Sequence, residues 1–236
     1  MKPEEQSVQE EGRGALTEVL RQRWSPTAFG PSPVGRRELR LIFEAARWAP
    51  SSFNDQPWSF IVATRDNAAS HRRMSEILME RNRTWAQLAP VLILSVARTH
   101  LARNGRPNAY ALYDVGQAVA DLTVQAVALG YDVHQMAGFD HARARELFAI
   151  PEGYEPVTVV ALGRPVQPQR PSPPDARKES AAFVFDGSWG IRWSAGDRAD
   201  EVPPGRVKWM TGVMHMNDAP FNGANEYSHS TTIKRD

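Results

Sequence analysis

Apolar residues recur along the chain at two spacings, one typical of helices and one typical of buried strands. Leu39, Ile42, Phe43 and Ala46 occupy positions i, i+3, i+4 and i+7 of one repeat. This spacing places all four side chains on one face of a helix, which is predicted over about 36–48. The run that follows it is short and rich in β-branched and aromatic residues, which predicts a strand.

The longest helical repeat lies in the middle of the chain. It predicts a helix over about 108–130, and Gly130 suits the position at which a helix ends. Shorter repeats and apolar runs alternate on either side of it. The other predicted helices lie at 36–48 and near 16–20, 74–78 and 144–148, and the predicted strands are 58–64 (with a buried 60–63), 90–97, 131–135 and 156–163.

The order of these elements predicts the α+β class, with a small central mixed β-sheet flanked by long helices. Neither G-x-G-x-x-G nor G-x-x-x-x-G-K-[ST] follows a strand, so a dinucleotide fold is not indicated. Residues 1–13 predict a flexible N-terminal arm, 14–190 a single domain, and 191–236 an irregular C-terminal extension. Segment 164–174 is proline-dense and predicts an extended strap over the surface.

Composition narrows the possible partners and compartments. The 236 residues carry a formal net charge of +1, which favours neither a nucleic acid nor a membrane surface. The chain has no Cys, which excludes disulfides and thiol chemistry, so a redox function would need a borrowed cofactor. The acidic N-terminus is not a signal peptide, and the apolar stretch 90–97 is too short to span a bilayer. A cytoplasmic protein is expected.

Residues 49–58, called the amide loop below, concentrate binding chemistry between the second helix and the first strand. Pro50 ends the helix, because the residue before a proline is driven out of the helical conformation. Two hydroxyls, two side-chain amides and two aromatic rings follow within 51–58. Rigid polar loops between framework elements often carry binding residues. An ordinary helix-to-strand turn uses the same residue types.

The residues elsewhere favour a site for an anion and a flat ring over a metal or hydrolase site. None of the six histidines forms a close helical pair, and no G-x-S-x-G sequence occurs. Arg23 with Ser25, and Arg177 with Lys178, are suited to a phosphate, although each is also consistent with a solvated surface. Gly138 would let the main chain approach a flat ligand, or would simply form a turn.

Five separated blocks of sequence, in this order, resemble the nitroreductase family. They are Arg23-Trp24-Ser25-Pro26-Thr27-Ala28-Phe29, residues 45–58, Tyr113-Asp114-Val115-Gly116-Gln117, Met136-Ala137-Gly138-Phe139-Asp140, and Ile150-Pro151-Glu152 with Gly163-Arg164-Pro165. The resemblance covers about residues 14–190. It implies a nitroreductase-like fold and an FMN enzyme that works as a homodimer, with each flavin at the subunit interface.

The resemblance also implies which residues bind the flavin. Arg23, Trp24 and Ser25 would meet the phosphate and ribityl chain. Arg177 and Lys178 would close on the same phosphate. The other subunit would line the flavin with residues of its amide loop, namely Pro50, Ser51, Ser52 and Asn54.

The flavin ring would meet a further set of residues, and the chain departs from the family pattern at two of them. Asn82 would reach the pyrimidine edge, and Gly138 would present its backbone N–H to flavin N5. Thr27 stands where the family usually has Arg or Lys. The loss of that cation would weaken stabilisation of negative charge on the reduced flavin unless Arg83 or another group substitutes. Ala137 replaces a Glu that some members carry beside N5.

The leading functional hypothesis is an FMN-dependent oxidoreductase with a ping-pong mechanism. NAD(P)H would deliver hydride to flavin N5, and the flavin would then reduce a nitroaromatic, quinone or similar acceptor. The cofactor carries the chemistry, so no side chain is assigned a catalytic role. Two alternatives stay open: another flavin reaction on the same fold, such as dehalogenation, flavin breakdown or peptide oxidation, and a non-catalytic flavin-binding protein, which Thr27 favours.

Overall fold

The structure is a computed structural model that describes residues 16–166 and 177–193. These residues fall into two compact units, which divide at Arg177. The predicted N-terminal arm, most of the proline-dense strap and most of the C-terminal extension lie outside the described residues. The domain limits given above therefore stay predictions.

Helices alternate with strands in the first unit, and the α+β class is confirmed. Its α-helices are α1 (Glu18–Gln22), α2 (Arg36–Arg47), α3 (Ala68–Glu76), α4 (Glu80–Ala86), α5 (Ala111–Ala128) and α6 (His141–Leu147). Its strands are β1 (Trp58–Thr64), β2 (Val91–Arg98), β3 (Asp132–Met136) and β4 (Tyr154–Gly163).

The four strands form one sheet in the order β1-β2-β4-β3. Every pairing among them is antiparallel, rather than mixed as the sequence analysis expected. Thr64 at the end of β1 pairs with Val91 at the start of β2. The connection that contains α3 and α4 therefore begins and ends at the same end of the sheet. A parallel pair would need a crossover to the opposite end.

The sheet separates two apolar cores. In β2, Ile93 and its alternate neighbours pack with α2 and α5, whereas Leu92 and Leu94 pack with residues such as Met74 of α3. This alternation follows from the two-residue period of a strand. Because both faces of β2 are covered, its buried residues 91–97 are all apolar except Ser95, and the buried strand predicted for 90–97 is confirmed.

Helix α5 lies at the centre of one core, as the sequence predicts. Its buried face includes Val115, Val119 and Leu122, which pack with α2 and the sheet. Its other face is exposed and carries a row of small apolar residues at i+4 spacing: Gly116, Ala120, Val124 and Ala128. Neither α5 nor any other helix in the described part of the chain is long and apolar enough to cross a membrane.

Two elements differ from their predictions. The polar stretch at residues 81–85 belongs to a helix, α4, whose buried contact comes chiefly from Ala86. A helix of 7 residues with one buried side chain shows no apolar repeat in its sequence. Residues 60–63 were expected to be buried, but only Ala63 is, because β1 lies at the edge of the sheet.

The described part of the second unit is a short folded segment. A 3₁₀ turn at Ser180–Ala182 precedes a pairing of Phe185 with Arg192. The rings of Phe185 and Trp189 lie 4.8 Å apart between their centroids.

Candidate functional site

The segment after β3 is held against the junction of α3 and α4. The Gly138 carbonyl accepts a hydrogen bond from Met79 N at 3.1 Å and a second from Asn82 Nδ2 at 3.0 Å. Asp140 N donates to Ile77 O at 2.8 Å. The structure thus brings together Asn82 and Gly138, two predicted site residues that lie 56 positions apart in sequence.

Gly138 offers a backbone donor at a crowded position. Within the described residues, no acceptor is hydrogen-bonded to its N–H, while Ala137 beside it is exposed. A Cβ at this position would lie 2.7 Å from Asn82 Nδ2, closer than real Cβ contacts. The glycine therefore makes room for Asn82 and leaves a fixed N–H available to a ligand.

The predicted phosphate residues lie beside the start of β3. Trp24 Nε1 donates to Asp132 Oδ2 at 3.2 Å, and Arg23 Nη1 donates to Ser25 Oγ at 3.3 Å. These contacts place the 23–25 segment next to the first residue of β3. The Gly138 site follows the last residue of the same strand, so the two predicted parts of the site share β3 as their common support.

His134 and Asp132 anchor this segment to β3, and neither was predicted as a site residue. His134 Nδ1 lies 2.9 Å from Pro26 O, and since a carbonyl only accepts, Nδ1 carries the hydrogen. Burial raises the pKa of the Asp132 carboxyl above its ordinary value, while the Trp24 hydrogen bond and the Arg23 charge act in the opposite direction. A single carboxylate and a lone histidine give no local sequence signal for such pairings.

The amide loop adopts an unusual backbone conformation. Phe53, Asn54 and Gln56 have φ angles of 55°, 53° and 47°, a left-handed region that residues other than glycine rarely occupy. Ser51 Oγ accepts from Gln56 N at 3.0 Å, and Gln56 Nε2 lies 3.2 Å from both Asn54 O and Asn54 Oδ1. The side chains of the loop therefore hold its own backbone in place.

Two buried carboxylates fix the amide loop to the rest of the unit. Asp114 of α5 is only 1% exposed and accepts a hydrogen bond from Ser52 N at 3.1 Å. The Asp55 carboxylate accepts from Arg98 Nη2 at 3.0 Å and from Ala102 N at 2.9 Å. Burial by itself raises the pKa of Asp55, but these two hydrogen bonds outweigh it and hold that pKa below its ordinary value.

The four predicted loop residues are accessible to a partner. Pro50 and Asn54 are exposed, and Ser51 and Ser52 are partly exposed. Ala49 at the start of the loop packs into the core around α5, whereas Phe139 next to Gly138 packs into the core around α3. The loop and the Gly138 site thus belong to different cores of one protomer.

The remaining predicted site residues are Thr27, its proposed substitute Arg83, and the basic pair Arg177 and Lys178. Thr27 is exposed, and Arg83 forms an ion pair with Glu80 within α4. Arg83 is therefore partly neutralised by its own helix. Arg177 and Lys178 are exposed at the start of the second unit, where their contact with a phosphate stays a prediction.

Comparison with known proteins settles the family. A family model described as the nitroreductase family matches residues 20–164, more than half of the chain. The chain belongs to the nitroreductase family. This confirms the resemblance that the sequence blocks indicated.

Two relatives are similar to the chain in sequence. An uncharacterized 15.4 kDa protein in the ask 5′ region of Mycolicibacterium smegmatis is 36% identical over 121 residues, which are 48% of this chain and 80% of that protein. Bacillus subtilis YodC, named as a candidate NAD(P)H nitroreductase, is 25% identical over 187 residues, 66% of this chain and 92% of YodC.

Solved structures show the same fold. An oxidoreductase containing FMN matches with a TM-score of 0.69 and 33% sequence identity, over 75% of this chain and 94% of that chain. A nitroreductase family protein from Streptococcus pneumoniae TIGR4 matches with a TM-score of 0.62 and 21% identity, over 72% and 98%. The match to the Streptococcus pneumoniae protein shows similarity of fold only.

Proposed function

We propose that this nitroreductase family member is an FMN-dependent oxidoreductase that takes electrons from NAD(P)H and reduces a nitroaromatic, quinone or similar acceptor. The observation that carries the proposal is the Gly138 N–H, which is fixed by the bonds of Met79 and Asn82 to the Gly138 carbonyl. A fixed donor suits a ring nitrogen of a flat cofactor. The similar FMN-containing oxidoreductase and YodC support the same cofactor and electron donor.

The spacing along β3 also fits FMN. Asp132 and Met136 are four residues apart, which corresponds to roughly 13 Å at about 3.3 Å per residue. Arg23, Trp24 and Ser25 at one end suit a phosphate, and Gly138 beyond the other end suits a ring. When bound, FMN would supply hydride transfer, while the chain binds the phosphate, orients the ring and donates one hydrogen bond to it.

A homodimer would complete the site. The exposed row of small residues on α5, with Leu112 and Tyr113 also exposed beside it, is an apolar helix surface of the kind that buries itself against another chain. A second copy at this surface would bring its amide loop to the flavin, with Pro50, Ser51, Ser52 and Asn54 as lining residues. The cytoplasmic location expected from the sequence stays a prediction.

Anaerobic spectroscopy of the purified protein tests the function. The protein should carry a flavin absorbance band that bleaches when NADPH or NADH is added without acceptor. After removal of the nucleotide, a nitroaromatic or quinone should restore the band, because the two half-reactions of a ping-pong enzyme are separable. A protein without flavin would contradict the cofactor, and recovery that requires both substrates together would contradict the ping-pong order.

A flavin-binding protein without turnover is the second candidate. It is favoured by exposed Thr27, which stands where the family pattern has a cation, and by the ion pair of Arg83 with Glu80, which partly neutralises the arginine considered as its substitute. In the same experiment, a flavin band that neither nucleotide bleaches would select this candidate.

A further inference from the structure

Residues 99–107, called the Arg turn below, form a closed turn after β2. Leu101 N donates to Arg106 O at 2.8 Å, and Gly105 N donates to Leu101 O at 2.9 Å. Asn104 Oδ1 accepts from Arg106 N at 3.1 Å. The two arginine side chains of the turn therefore extend from a backbone that is fixed by its own hydrogen bonds.

The Arg turn is bound directly to the amide loop. The Asp55 carboxylate of the loop accepts from Ala102 N of the turn at 2.9 Å and from the preceding Arg98 at 3.0 Å. The Arg103 guanidinium carbon lies 3.9 Å from the centroid of the Phe53 ring. The Arg turn therefore lies beside the part of the amide loop that contains Phe53 and Asp55.

Positive charge is in excess at this junction. The amide loop and residues 98–107 contain three arginines and one aspartate. Asp55 is paired with Arg98, whereas neither Arg103 nor Arg106 forms an ion pair with a carboxylate within the described part of the chain. Both side chains are exposed.

An aromatic surface lies beside these charges. Phe53 is 68% exposed, although Arg103 lies over one face of its ring. Stacking on an aromatic ring restricts the conformations of an arginine side chain before a ligand binds. The side chain therefore loses less entropy when the ligand binds. The junction therefore combines a pre-positioned cation, a second cation on the same rigid turn and an accessible aromatic edge.

We propose that Arg103 and Arg106 bind the anionic group of a substrate in the flavin site, and so make the protein selective for anionic substrates. The inference rests on the proposed function, because it requires the amide loop to lie beside a flavin. Arginine binds carboxylates and phosphates through paired N–H donors. Two sources supply such a group: the 2′-phosphate of NADPH, and a carboxylate on an aromatic acceptor.

Equilibrium binding to the flavin-loaded protein tests this without turnover. Calorimetric titration compares ADP-ribose 2′-phosphate with ADP-ribose, and 4-nitrobenzoate with 4-nitrobenzamide. The wild type should bind the anionic member of one pair roughly tenfold or more tightly, as expected for charge-assisted hydrogen bonds. Arg103→Ala and Arg106→Ala should each reduce that preference, and the affected pair identifies the source of the anion.

Arg72→Ala is the matched control, because it removes an exposed arginine from α3. It should leave the preference unchanged. A wild type without a preference for either anion would overturn the proposal, as would equal weakening of charged and neutral probes in Arg103→Ala. Failure of the proposed function can be distinguished from failure of this proposal, because it would give a protein without flavin or a flavin that NADH does not bleach.

Discussion

At the scale of single residues, Gly138 is important because it has no side chain. The sequence predicts a glycine that lets a flat ligand approach the main chain. The structure adds a second reason, because Asn82 Nδ2 occupies the space where a Cβ would lie, at 2.7 Å. Asn82 Nδ2 donates a hydrogen bond to the carbonyl of the same residue, so Gly138 has its carbonyl bound within the protein and its N–H available to a ligand.

Gly138→Ala should weaken FMN binding by roughly tenfold, the effect of losing one good hydrogen bond. The new methyl group would displace Asn82 and disturb the orientation of the Gly138 N–H. The dissociation constant can be measured from quenching of FMN fluorescence. Gly30→Ala is the control, since its Cβ would meet Arg164 O at an ordinary 3.6 Å.

A double variant sharpens the same prediction. Once Asn82→Ala has removed the obstructing amide, adding Gly138→Ala should cause little further loss of FMN affinity. Fully additive losses would show that Gly138 acts independently of Asn82.

The residue scale also shows the limit of sequence reasoning. Gly138 could be predicted because it lies in a block that resembles the family, whereas Asn82 lies outside the five blocks and was assigned only by its fit to the family's pattern. Asp114 and Asp132 could not be predicted, because their partners Ser52 and Trp24 lie 62 and 108 positions away. A buried carboxylate is recognised by the donors around it, and those become neighbours only in the folded chain.

At the scale of elements, the strength of the apolar pattern decided what could be predicted. Strand β2 and helix α5 are buried along their length or along one face, and their sequences repeat accordingly. The amide loop was predicted to be rigid because of its prolines. Its actual constraint is a left-handed backbone at three residues, each costing about 1–2 kcal/mol. Hydrogen bonds that the Asp55 and Asp114 carboxylates accept help to offset this cost.

Asp55→Asn should therefore destabilise the loop and its attachment to the Arg turn. The folded-state pKa of Asp55 lies below its ordinary value of 3.8, so the charged carboxylate stabilises the fold above that pH. This contribution is lost as pH falls through the lower, folded-state value. We expect the variant to lose about 1.5–3 kcal/mol of unfolding free energy at pH 7.

Urea unfolding at pH 7 and at progressively lower pH measures this difference. The gap between wild type and Asp55→Asn should narrow below pH 3.8. Asp66→Asn, at an exposed position, should change the unfolding free energy by less than about 0.5 kcal/mol at pH 7. A gap that is independent of pH would show that charge on Asp55 does not contribute.

At the scale of the whole molecule, the exposed apolar row on α5 departs from the amphipathic pattern of a surface helix. An apolar strip on the outer side of a helix is normally covered by another element. Gly116 would accept a Cβ without meeting any atom within 4 Å in the described residues, so no contact among those residues requires its small size. A closely approaching second helix, as in the proposed dimer, would require it.

Ala120→Glu should convert the protein to a folded monomer that loses FMN. The substitution places a charge in the middle of the exposed row on α5, where burial against a second copy would be unfavourable. Sedimentation velocity gives the assembly state, and the flavin absorbance gives the occupancy. Ala142→Glu on α6, also at an exposed position, should leave both unchanged. A dimeric Ala120→Glu protein that keeps its flavin would contradict the proposed interface.

The hydrogen bond from Ser52 N to Asp114 has a consequence for handling the protein. It joins the amide loop to α5, the same helix that carries the exposed apolar row. In the proposed dimer, the loop therefore leaves the flavin whenever the two helices separate. By mass action, dilution would release cofactor as well as subunits. Specific activity in a dilute assay would then fall with time unless free FMN is added to the buffer.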